Sequence, residues 1–442
     1  MTLSIVLQFA VVLAAIWMGA RFSGVGLGLW GAVGLLVLIV VFNVNPTSPP
    51  VDVMLIILAV IMAASVMDAA GGIDFLVRVA ERIIRANPKY VTIVAPLTTW
   101  TFTFFAGTGH IVYPLLPVIY ETAHQSGIRP ERPMAVATIA SQQAITASPV
   151  AAATAAMIGL FSEKGLSQWG LPEILMVCVP ATLAGVIVAA IVSMFIGKDL
   201  KDDPEYQARL AAGKIPAPKT AEQERAPLKP TAKLSAFLFL AGVITVVVLG
   251  FFPALRTLPG AKAAVSMPIV IEVTMMSVAA VMLLLTRTPV DEVTKTPTLR
   301  AGVVAVIGIF GLAWLGDSFI AAHRDVIVPA IGDWAKAAPW TFAFGLFFAS
   351  VLLYSQAATT RALMPLGLAL GIPPQFLIAM FPSVNGYFFI PTYGSLIAAI
   401  NFDLSGTTRI GRYVLNHSFM IPGLVATSVA VIVGLLLAGL MF

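Results

Sequence analysis

The chain has 442 residues, of which 59% are hydrophobic and 11% are charged. Soluble domains usually carry about 25% charged residues, so the composition excludes a large soluble core and predicts an all-α polytopic membrane protein. The net charge of +5 requires no nucleic-acid partner, because Lys and Arg in membrane proteins collect in cytoplasmic loops. The single cysteine, Cys178, excludes a disulfide framework.

Ten apolar stretches are long enough to cross a bilayer as helices, which takes about 20 residues each. They are residues 2–19, 25–42, 51–71, 133–160, 171–196, 234–252, 264–286, 300–320, 373–400 and 413–440. Two further apolar stretches, at about 90–120 and 340–370, have polar residues at their centres. We interpret both as re-entrant hairpins, which enter and leave the membrane on the same side.

The distribution of basic residues predicts the orientation. With both termini outside, the inner loops contain 20 of the 26 lysines and arginines, and the outer loops contain five. This asymmetry agrees with the excess of basic residues in cytoplasmic loops. If each hairpin stretch were instead one full span, the basic loop 121–132 would lie outside. We therefore expect multi-pass insertion in a bacterial inner membrane, with both termini periplasmic.

The order of segments predicts an inverted-topology repeat, as is common in secondary transporters. Residues 1–196 give three spans, a hairpin and two spans, and residues 234–442 give the same order from the opposite side. Sequence identity supports this weakly, since Gly127-Ile128 corresponds to Gly371-Ile372. The charged, Pro-rich segment 197–233 is predicted to be a mobile cytoplasmic linker, with a regulatory docking role as the alternative.

Two polar interruptions in the first half are candidates for binding. Such breaks at membrane depth are tolerated only where they are buried in protein or line a cavity. The first includes Thr108, Gly109 and His110, at the tip of hairpin one; the second includes Ser141, Gln142, Ser148 and Pro149. Pro149 removes a helix hydrogen bond and predicts an unwound segment. The alternative for each break is a structural role, in helix packing or in a kink.

Two corresponding interruptions occur in the second half. One includes Ser355, Gln356, Thr359, Thr360 and Arg361, at the tip of hairpin two; the other includes Asn385, Tyr387, Thr392 and Tyr393. An arginine this deep usually faces a cavity or a partner, so Arg361 is predicted to bind a carboxylate or to pair with an acid such as Asp317. The second break predicts another unwound helix.

Together, the four interruptions predict a site for a small carboxylate, because helix N-termini favour anions. No two-histidine metal spacing, phosphate loop or nucleophile elbow is present, so neither a metal site nor an enzyme is predicted. Ser141 or Ser148 with His110 is the one conceivable catalytic pair, and the spacing does not support it. A channel remains an alternative class, because re-entrant hairpins occur in channels too.

Several long motifs resemble the anaerobic C4-dicarboxylate transporter (Dcu) family. They include GTGHIVYPLLPVIY from Gly107, IRPERPMA from Ile128, and FDLSGTTRIGRYVLNHSFMIPGL from Phe402. The likeness runs from about Met18 to Gly423. It implies exchange of fumarate, succinate, malate or aspartate across the inner membrane. It also implies an ion-transporter superfamily fold, often dimeric, in which we expect an elevator-type mechanism. Coupling to Na⁺ or H⁺, for another small carboxylate or an amino acid, is the alternative.

The chain departs from this family at two places. The family usually continues Pro-Thr-Tyr with Pro-Ser-Asp, whereas Tyr393 is followed here by Gly394, Ser395 and Leu396. The family's second tip is alanine-rich where this chain has Thr359-Thr360-Arg361. A lost carboxylate and a gained arginine predict a more positive pocket that prefers plain dicarboxylates to zwitterionic aspartate.

This preference is testable by uptake of labelled substrates into cells that express the chain. We expect succinate and fumarate to enter faster than aspartate, because the aspartate ammonium group would meet fewer negative partners. Aspartate uptake far faster than that of either dicarboxylate would contradict the prediction.

Overall fold

The computed structural model describes residues 3–22, 25–215, 227–261, 263–353 and 355–442. Over these residues the chain is helical and contains no strand, apart from an isolated bridge between Ile410 and His417. The predicted all-α class is therefore confirmed. Seven described segments are long and apolar enough to cross a membrane: Val51–Ala69, Glu131–Glu163, Leu171–Ser193, Ala232–Phe251, Met267–Thr286, Pro297–His323 and Met420–Met441.

The first half of the chain runs from α1 to α9. Its helices are α1 (Leu3–Phe22), α2 (Gly26–Phe42), α3 (Val51–Ala69), α4 (Gly72–Ala86), α5 (Val91–Ala106), α6 (Val112–Gln125), α7 (Glu131–Gln143), α8 (Ala152–Glu163) and α9 (Leu171–Ser193). Local chemistry sets several ends. Asn43 closes α2 in the left-handed conformation, and the Glu173 carboxylate caps α9 by accepting from the Gly170 N–H at 2.8 Å.

The second half follows a short helix in the linker, α10 (Pro204–Ala211). It contains α11 (Ala232–Phe251), α12 (Met267–Thr286), α13 (Val290–Thr294), α14 (Pro297–Gly308), α15 (Trp314–Ala337), α16 (Phe342–Leu353), α17 (Gln356–Ala369), α18 (Pro374–Met380), α19 (Gly394–Phe402) and α20 (Met420–Met441). A π-helical turn at Ile309–Ala313 joins α14 to α15, so this helix extends well beyond the predicted end at 320.

The last predicted span starts later than expected, because residues 403–419 form a loop rather than a helix. The Asp403 carboxylate holds the first part of this loop. It accepts hydrogen bonds from the Ser405 N–H at 2.9 Å and the Thr407 hydroxyl at 2.8 Å, and also from the Thr408 N–H. Such side-chain bonds to nearby backbone groups compete with helix formation. The Ser418 N–H then donates back to the Arg409 carbonyl at 3.1 Å, so α20 begins only at Met420.

Both predicted hairpins are helix–break–helix units whose outer ends meet. In the first, Arg85 just before α5 donates to Glu121 near the end of α6 at 2.6 Å. In the second, Gly367 near the end of α17 packs against the ring of Phe342, the first residue of α16. The arms of each unit therefore start and finish together, and the break lies at the far end.

Helix contacts recur in corresponding pairs across the two halves. Helix α3 packs on α12, and α2 packs on α14; helix α17 packs on α8, and α6 packs on α19. Helices α9 and α20, the last of each half, pack along each other. Large apolar clusters fill the space around α3, α8, α9, α12 and α18, so the broken helices lie within the protein core.

The described part of the linker is packed against the helical body, unlike the predicted mobile tether. Asp203, at the start of α10, forms an ion pair with Arg129, and Glu205 forms one with Arg409. The Tyr206 hydroxyl lies 2.9 Å from Nε2 of His124. These contacts are possible because α10 presents its acidic first turn to basic loops of both halves. Residues 216–226 lie outside the described residues.

Candidate functional site

A polar cavity of about 150 Å³ lies where both tips and both broken helices meet. Its lining includes Gly107, Thr108, Gly109, His110, Tyr113, Gln142, Ile145, Ala152, Ala153, Ala305, Ser355, Gln356, Ala357 and Tyr393. A larger cavity of about 690 Å³ shares His110, Ser355, Gln356 and Tyr393 with it. The larger cavity continues along α14 as far as Pro297 and Arg300, so the inner cavity has a wide route to one side of the protein.

The first tip is a tight turn that only glycine allows at two positions. Gly107 ends α5 with φ of +69°, a conformation that side chains with a Cβ rarely adopt. A Cβ at Gly109 would collide with the amide of Gln142. Thr108 caps the next helical turn by accepting from the His110 N–H at 3.3 Å. The exposed His110 ring then stacks on Tyr113 with centroids 5.8 Å apart.

The first broken helix unwinds between α7 and α8. A 3-10 turn covers Ala144–Ala147, and Ser148 is extended with ψ of 129°. The Ser148 hydroxyl accepts from the Val150 N–H at 3.3 Å, which stabilises the turn around Pro149. Helix α8 restarts at Ala152, which lines the inner cavity.

The second tip is held by a network of side-chain amides. Ser355 caps α17 by accepting from the Ala358 N–H at 3.2 Å. The Gln356 amide donates to Gln142 Oε1 at 2.9 Å and to Asn385 Oδ1 at 3.2 Å. The network continues from Asn385 to Gln143 Oε1 at 3.3 Å and from Gln143 to the Thr427 hydroxyl at 2.8 Å. The second tip and both broken helices are thus joined through neutral donors and acceptors.

Four helix N-termini converge on the two cavities. The turn at Gly109–Ile111 leads into α6, and Ala152 begins α8. Gln356 begins α17, and Gly394 begins α19 and lines the larger cavity. The first N–H groups of a helix have no partner within it, and the helix dipole places partial positive charge there. The arrangement therefore favours an anion with more than one negative group.

The charges on the lining side chains agree with this. None of the described lining residues of the two cavities is acidic. Arg300 is the only lysine or arginine among them, and it is exposed on the α14 wall. No ion-pair partner for Arg300 occurs in the described part of the chain. An anion in the larger cavity would thus meet a free guanidinium group.

The structure brings together half of the residues predicted from the sequence. Those that line the cavities are Thr108, Gly109, His110, Gln142, Ser355, Gln356, Thr392 and Tyr393. Others lie behind the lining, where Asn385 supports Gln356 and the Tyr387 ring packs 4.8 Å from that of Tyr393. Tyr387 also donates to the Thr138 carbonyl at 3.4 Å.

The remaining predicted residues bond to the backbone of their own helical segments and do not face either cavity. The hydroxyls of Ser141, Thr359 and Thr360 donate to the carbonyls of Thr138, Ser355 and Gln356, at 2.9, 2.8 and 2.7 Å. Ser148 and Pro149 shape the break between α7 and α8 without lining either cavity. These side chains satisfy backbone groups, so their role in the structure is to hold the broken segments.

Arg361 does not line the described cavities, and its surroundings match the predicted alternative of an acidic partner. Its side chain is 1% exposed. It forms ion pairs with Glu163 of α8 at 3.0 Å and with Asp317 of α15 at 3.2 Å. The sequence position near the tip was misleading because α17 turns Arg361 towards α8 and α15. The gained arginine therefore does not make the pocket more positive.

Several lining residues were not predicted from the sequence. Tyr113 and Ala152 lie one turn from predicted tips or breaks, so their neighbours were a usable signal. Ala305 and Arg300 lie on α14, a helix with no polar break. Only its packing against the tips places them at the cavity.

Among the described residues, no group of three or more His, Cys, Asp or Glu side chains could hold a metal ion. The inner cavity instead offers amide, hydroxyl and imidazole groups together with helix N-termini. These groups recognise an anion by hydrogen bonding.

The helical membrane fold, with a polar cavity between broken helices, is typical of membrane transporters. A family model described as anaerobic C4-dicarboxylate membrane transporter matches residues 4–442, and the chain belongs to this family. It is 41% identical over 438 residues to the C4-dicarboxylate transporter DcuA of Escherichia coli strain K12, covering 99% of this chain and all of that protein. It is 40% identical over 439 residues to DcuA of Wolinella succinogenes, covering 98% and 99%.

The anaerobic C4-dicarboxylate transporter DcuB of Escherichia coli O157:H7 is 39% identical over 442 residues, covering 98% of each chain. These relatives are transporters, which confirms that the chain is not an enzyme. Two solved structures are similar in fold. The YdaH transporter of Alcanivorax borkumensis gives a TM-score of 0.52 at 14% identity, covering 88% of this chain and 85% of that one. MtrF of Neisseria gonorrhoeae gives 0.53 at 13% identity, covering 93% and 85%.

The ion pairs of Arg361 predict an effect on stability rather than on binding. Arg361→Ala should lower the free energy of unfolding by about 1–3 kcal/mol, because it removes a buried side chain and leaves the partly exposed Glu163 and Asp317 without their cation. Thermal unfolding of purified protein, followed by tryptophan fluorescence, measures the loss. The triple variant Arg361→Met, Glu163→Gln, Asp317→Asn is the control and should recover most of the stability. A weakened dicarboxylate affinity with unchanged unfolding would instead assign Arg361 to the site.

Proposed function

We propose that the chain carries C4 dicarboxylates, such as fumarate, succinate and malate, across the bacterial inner membrane by alternating access. The observation that carries this proposal is the convergence of four helix N-termini on cavities whose described lining has no acidic residue. The names of the relatives, anaerobic C4-dicarboxylate transporters, agree with it.

The substrate would lie between the tips, with its two carboxylates at different helix N-termini. One carboxylate would accept N–H bonds at the starts of α6 and α17, beside Thr108 and Ser355. The other would lie towards the start of α19, near Thr392 and Tyr393. His110 and Gln356 would donate to either group. A monocarboxylate would fill one of these positions only and would bind more weakly.

Arg300 would add selectivity for dianions from the side to which the larger cavity opens. Its guanidinium can grip a carboxylate through two parallel hydrogen bonds. Because Arg300 belongs to α14 and not to a tip, it would meet the substrate only while the cavity opens to this side.

The topology proposed for this function has ten spans, two re-entrant hairpins and both termini in the periplasm. The joined ends of each hairpin support it, through the Arg85–Glu121 ion pair and the Gly367–Phe342 contact. The paired helix contacts of the two halves support an inverted repeat of residues 1–196 and 234–442. The larger cavity then opens to the cytoplasm, where α14 begins.

In the transport cycle, the hairpins and broken helices would move together as an elevator within a homodimer. They would move against the early helices of each half. The amide network that joins the second tip to both broken helices supports motion of these parts as one body, and the first tip packs closely on Gln142 of that network at Gly109. Exchange of one dicarboxylate for another needs no coupling ion. Symport of another small carboxylate or an amino acid with Na⁺ or H⁺ is the second candidate, since carbonyls freed at the breaks could coordinate Na⁺.

Counterflow in proteoliposomes tests the function and the role of Arg300. We expect external labelled succinate to accumulate against internal unlabelled fumarate, with or without Na⁺. Arg300→Gln should raise the KM at the cytoplasmic side about tenfold, because a charge-assisted carboxylate contact contributes on the order of 1.5–3 kcal/mol. Lys295→Gln is the control, since Lys295 carries the same charge on a nearby exposed loop and does not line the cavity.

Non-saturable flux would contradict a carrier and favour a channel. Strict Na⁺ dependence of counterflow would favour the symporter. An equal rise of KM in both variants would remove Arg300 from the route of the substrate.

Cysteine labelling tests the topology, because the native Cys178 is fully buried. A membrane-impermeant maleimide added to intact cells should label Leu258→Cys and Phe442→Cys, which replace exposed side chains. It should label Ser126→Cys only after permeabilisation, because a re-entrant α5–α6 unit returns Ser126 to the cytoplasm. Labelling of Ser126→Cys in intact cells would mean that α5 and α6 together cross the membrane once, as a single span.

A further inference from the structure

A separate polar cavity lies away from the tips, at one end of the α9–α20 helix pair. Its volume is about 530 Å³. The lining includes Arg129, Arg409, Arg412, His417 and one acidic residue, Glu131, together with Ile196 after α9 and Ile421 in the first turn of α20. Three arginines therefore face one space beside two membrane-length helices. Neither the inner cavity nor the larger cavity at the tips shares any of these residues.

The three arginines differ in their ion-pair partners. Arg129 pairs with Glu131 at 2.6 Å and with Asp203, and Arg409 pairs with Glu205 of α10. Arg412 is exposed, and its guanidinium lies 6.0 Å from the centroid of the Tyr413 ring. No acidic partner for Arg412 occurs in the part of the chain that the structure describes. One guanidinium is therefore available to an anion.

His417 adds an unused donor to the same lining. Its side chain is buried, and Nδ1 accepts from the Phe419 N–H at 3.2 Å. Burial lowers the pKa of His417, and the Phe389 carbonyl opposes this shift only in part. The neutral ring then carries its proton on Nε2. This buried Nε2 makes no hydrogen bond of ordinary geometry among the described residues, so the Phe389 carbonyl acts on the ring only as a weak acceptor.

Exposed apolar side chains adjoin the lining residues Ile196 and Arg412 along the chain. Tyr413, Val414 and Leu415 are 69%, 58% and 53% exposed, and Phe195 at the end of α9 is 83% exposed. Ile421 is also exposed. Exposed apolar side chains in this number mark contact with a membrane or a partner. Because they continue onto the outer faces of α9 and α20, acyl chains are the occupant that fits.

We propose that this cavity binds the headgroup of an anionic phospholipid from the adjoining leaflet. The phosphate would accept hydrogen bonds from Arg412 and from the Nε2–H of His417, and the acyl chains would lie along Tyr413, Leu415 and Phe195. Basic pockets between membrane helices are suited to anionic headgroups. Under the proposed topology this is the cytoplasmic leaflet, although the site itself does not depend on the transported substrate.

Helix α10 would limit the affinity of this site, because its first turn neutralises two of the three arginines. Glu205 and Arg409 are both about half exposed, so this pair can be broken without leaving a deeply buried charge. Removing the Glu205 charge should therefore free Arg409 for the headgroup. This gives a variant in which the proposed site gains affinity.

Native mass spectrometry of the purified transporter in detergent tests the proposal with phosphatidylglycerol and phosphatidylcholine. We expect phosphatidylglycerol to bind more tightly than the zwitterionic lipid. Arg412→Gln should weaken its binding about fivefold, which converts to ~1 kcal/mol. Glu205→Gln should strengthen it. Lys201→Gln, an exposed charge outside the cavity lining, is the control and should leave binding unchanged.

Equal binding of phosphatidylglycerol to the wild type, Arg412→Gln and Glu205→Gln would overturn the proposal. Displacement of the lipid by an equal concentration of glycerol 3-phosphate would also overturn it and indicate a soluble anion. Lipid binding that follows dimer formation, rather than charge, would assign these exposed apolar side chains to a second copy of the chain. Counterflow of the same variants is a separate measurement, so failure of the transport proposal would not be mistaken for failure of this one.

Discussion

The structure depends on one constraint, which is that helix ends inside a membrane must find partners for their backbone groups. This chain interrupts helices at two tips and in two broken helices, and it brings all four interruptions together. Hydroxyls of Thr108, Ser148 and Ser355 satisfy some of the exposed N–H groups. The amides of Gln142, Gln356 and Asn385 join the second tip to both broken helices. The N–H groups that remain at the helix starts are those that can bind an anion.

Charge is kept apart from this neutral centre. Arg361 is close to the second tip in sequence, but it is paired with Glu163 and Asp317. Replacing it would leave these two carboxylates without their cation and destabilise the fold. Arg300 lies instead on the wall of the larger cavity without an ion-pair partner among the described residues. The two arginines illustrate that a cation in a membrane protein serves the fold when it is paired and can serve the substrate when it is free.

The two halves of the chain meet in three ways that matter for function. Second arms of the hairpins pack on the broken helices of opposite halves, and α9 packs along α20. Helix α10 adds ion pairs to the loops that precede α7 and α20. The linker thus fastens the same loops that line the proposed lipid cavity. Any movement between those loops must be compatible with these ion pairs or must break them.

The sequence by itself determined the all-α membrane class, the family and the positions of the four interruptions, because apolar length, glycine and proline act locally. It also determined half of the lining of the inner cavity, including Thr108, Gln142 and Gln356. Tertiary structure decided the rest. Whether Arg361 faced substrate or acid depended on how α17 rotates against α8 and α15, and Arg300 reached the cavity only through the packing of α14. Side-chain direction on a helix is set by its neighbours, and those neighbours lie far away in sequence.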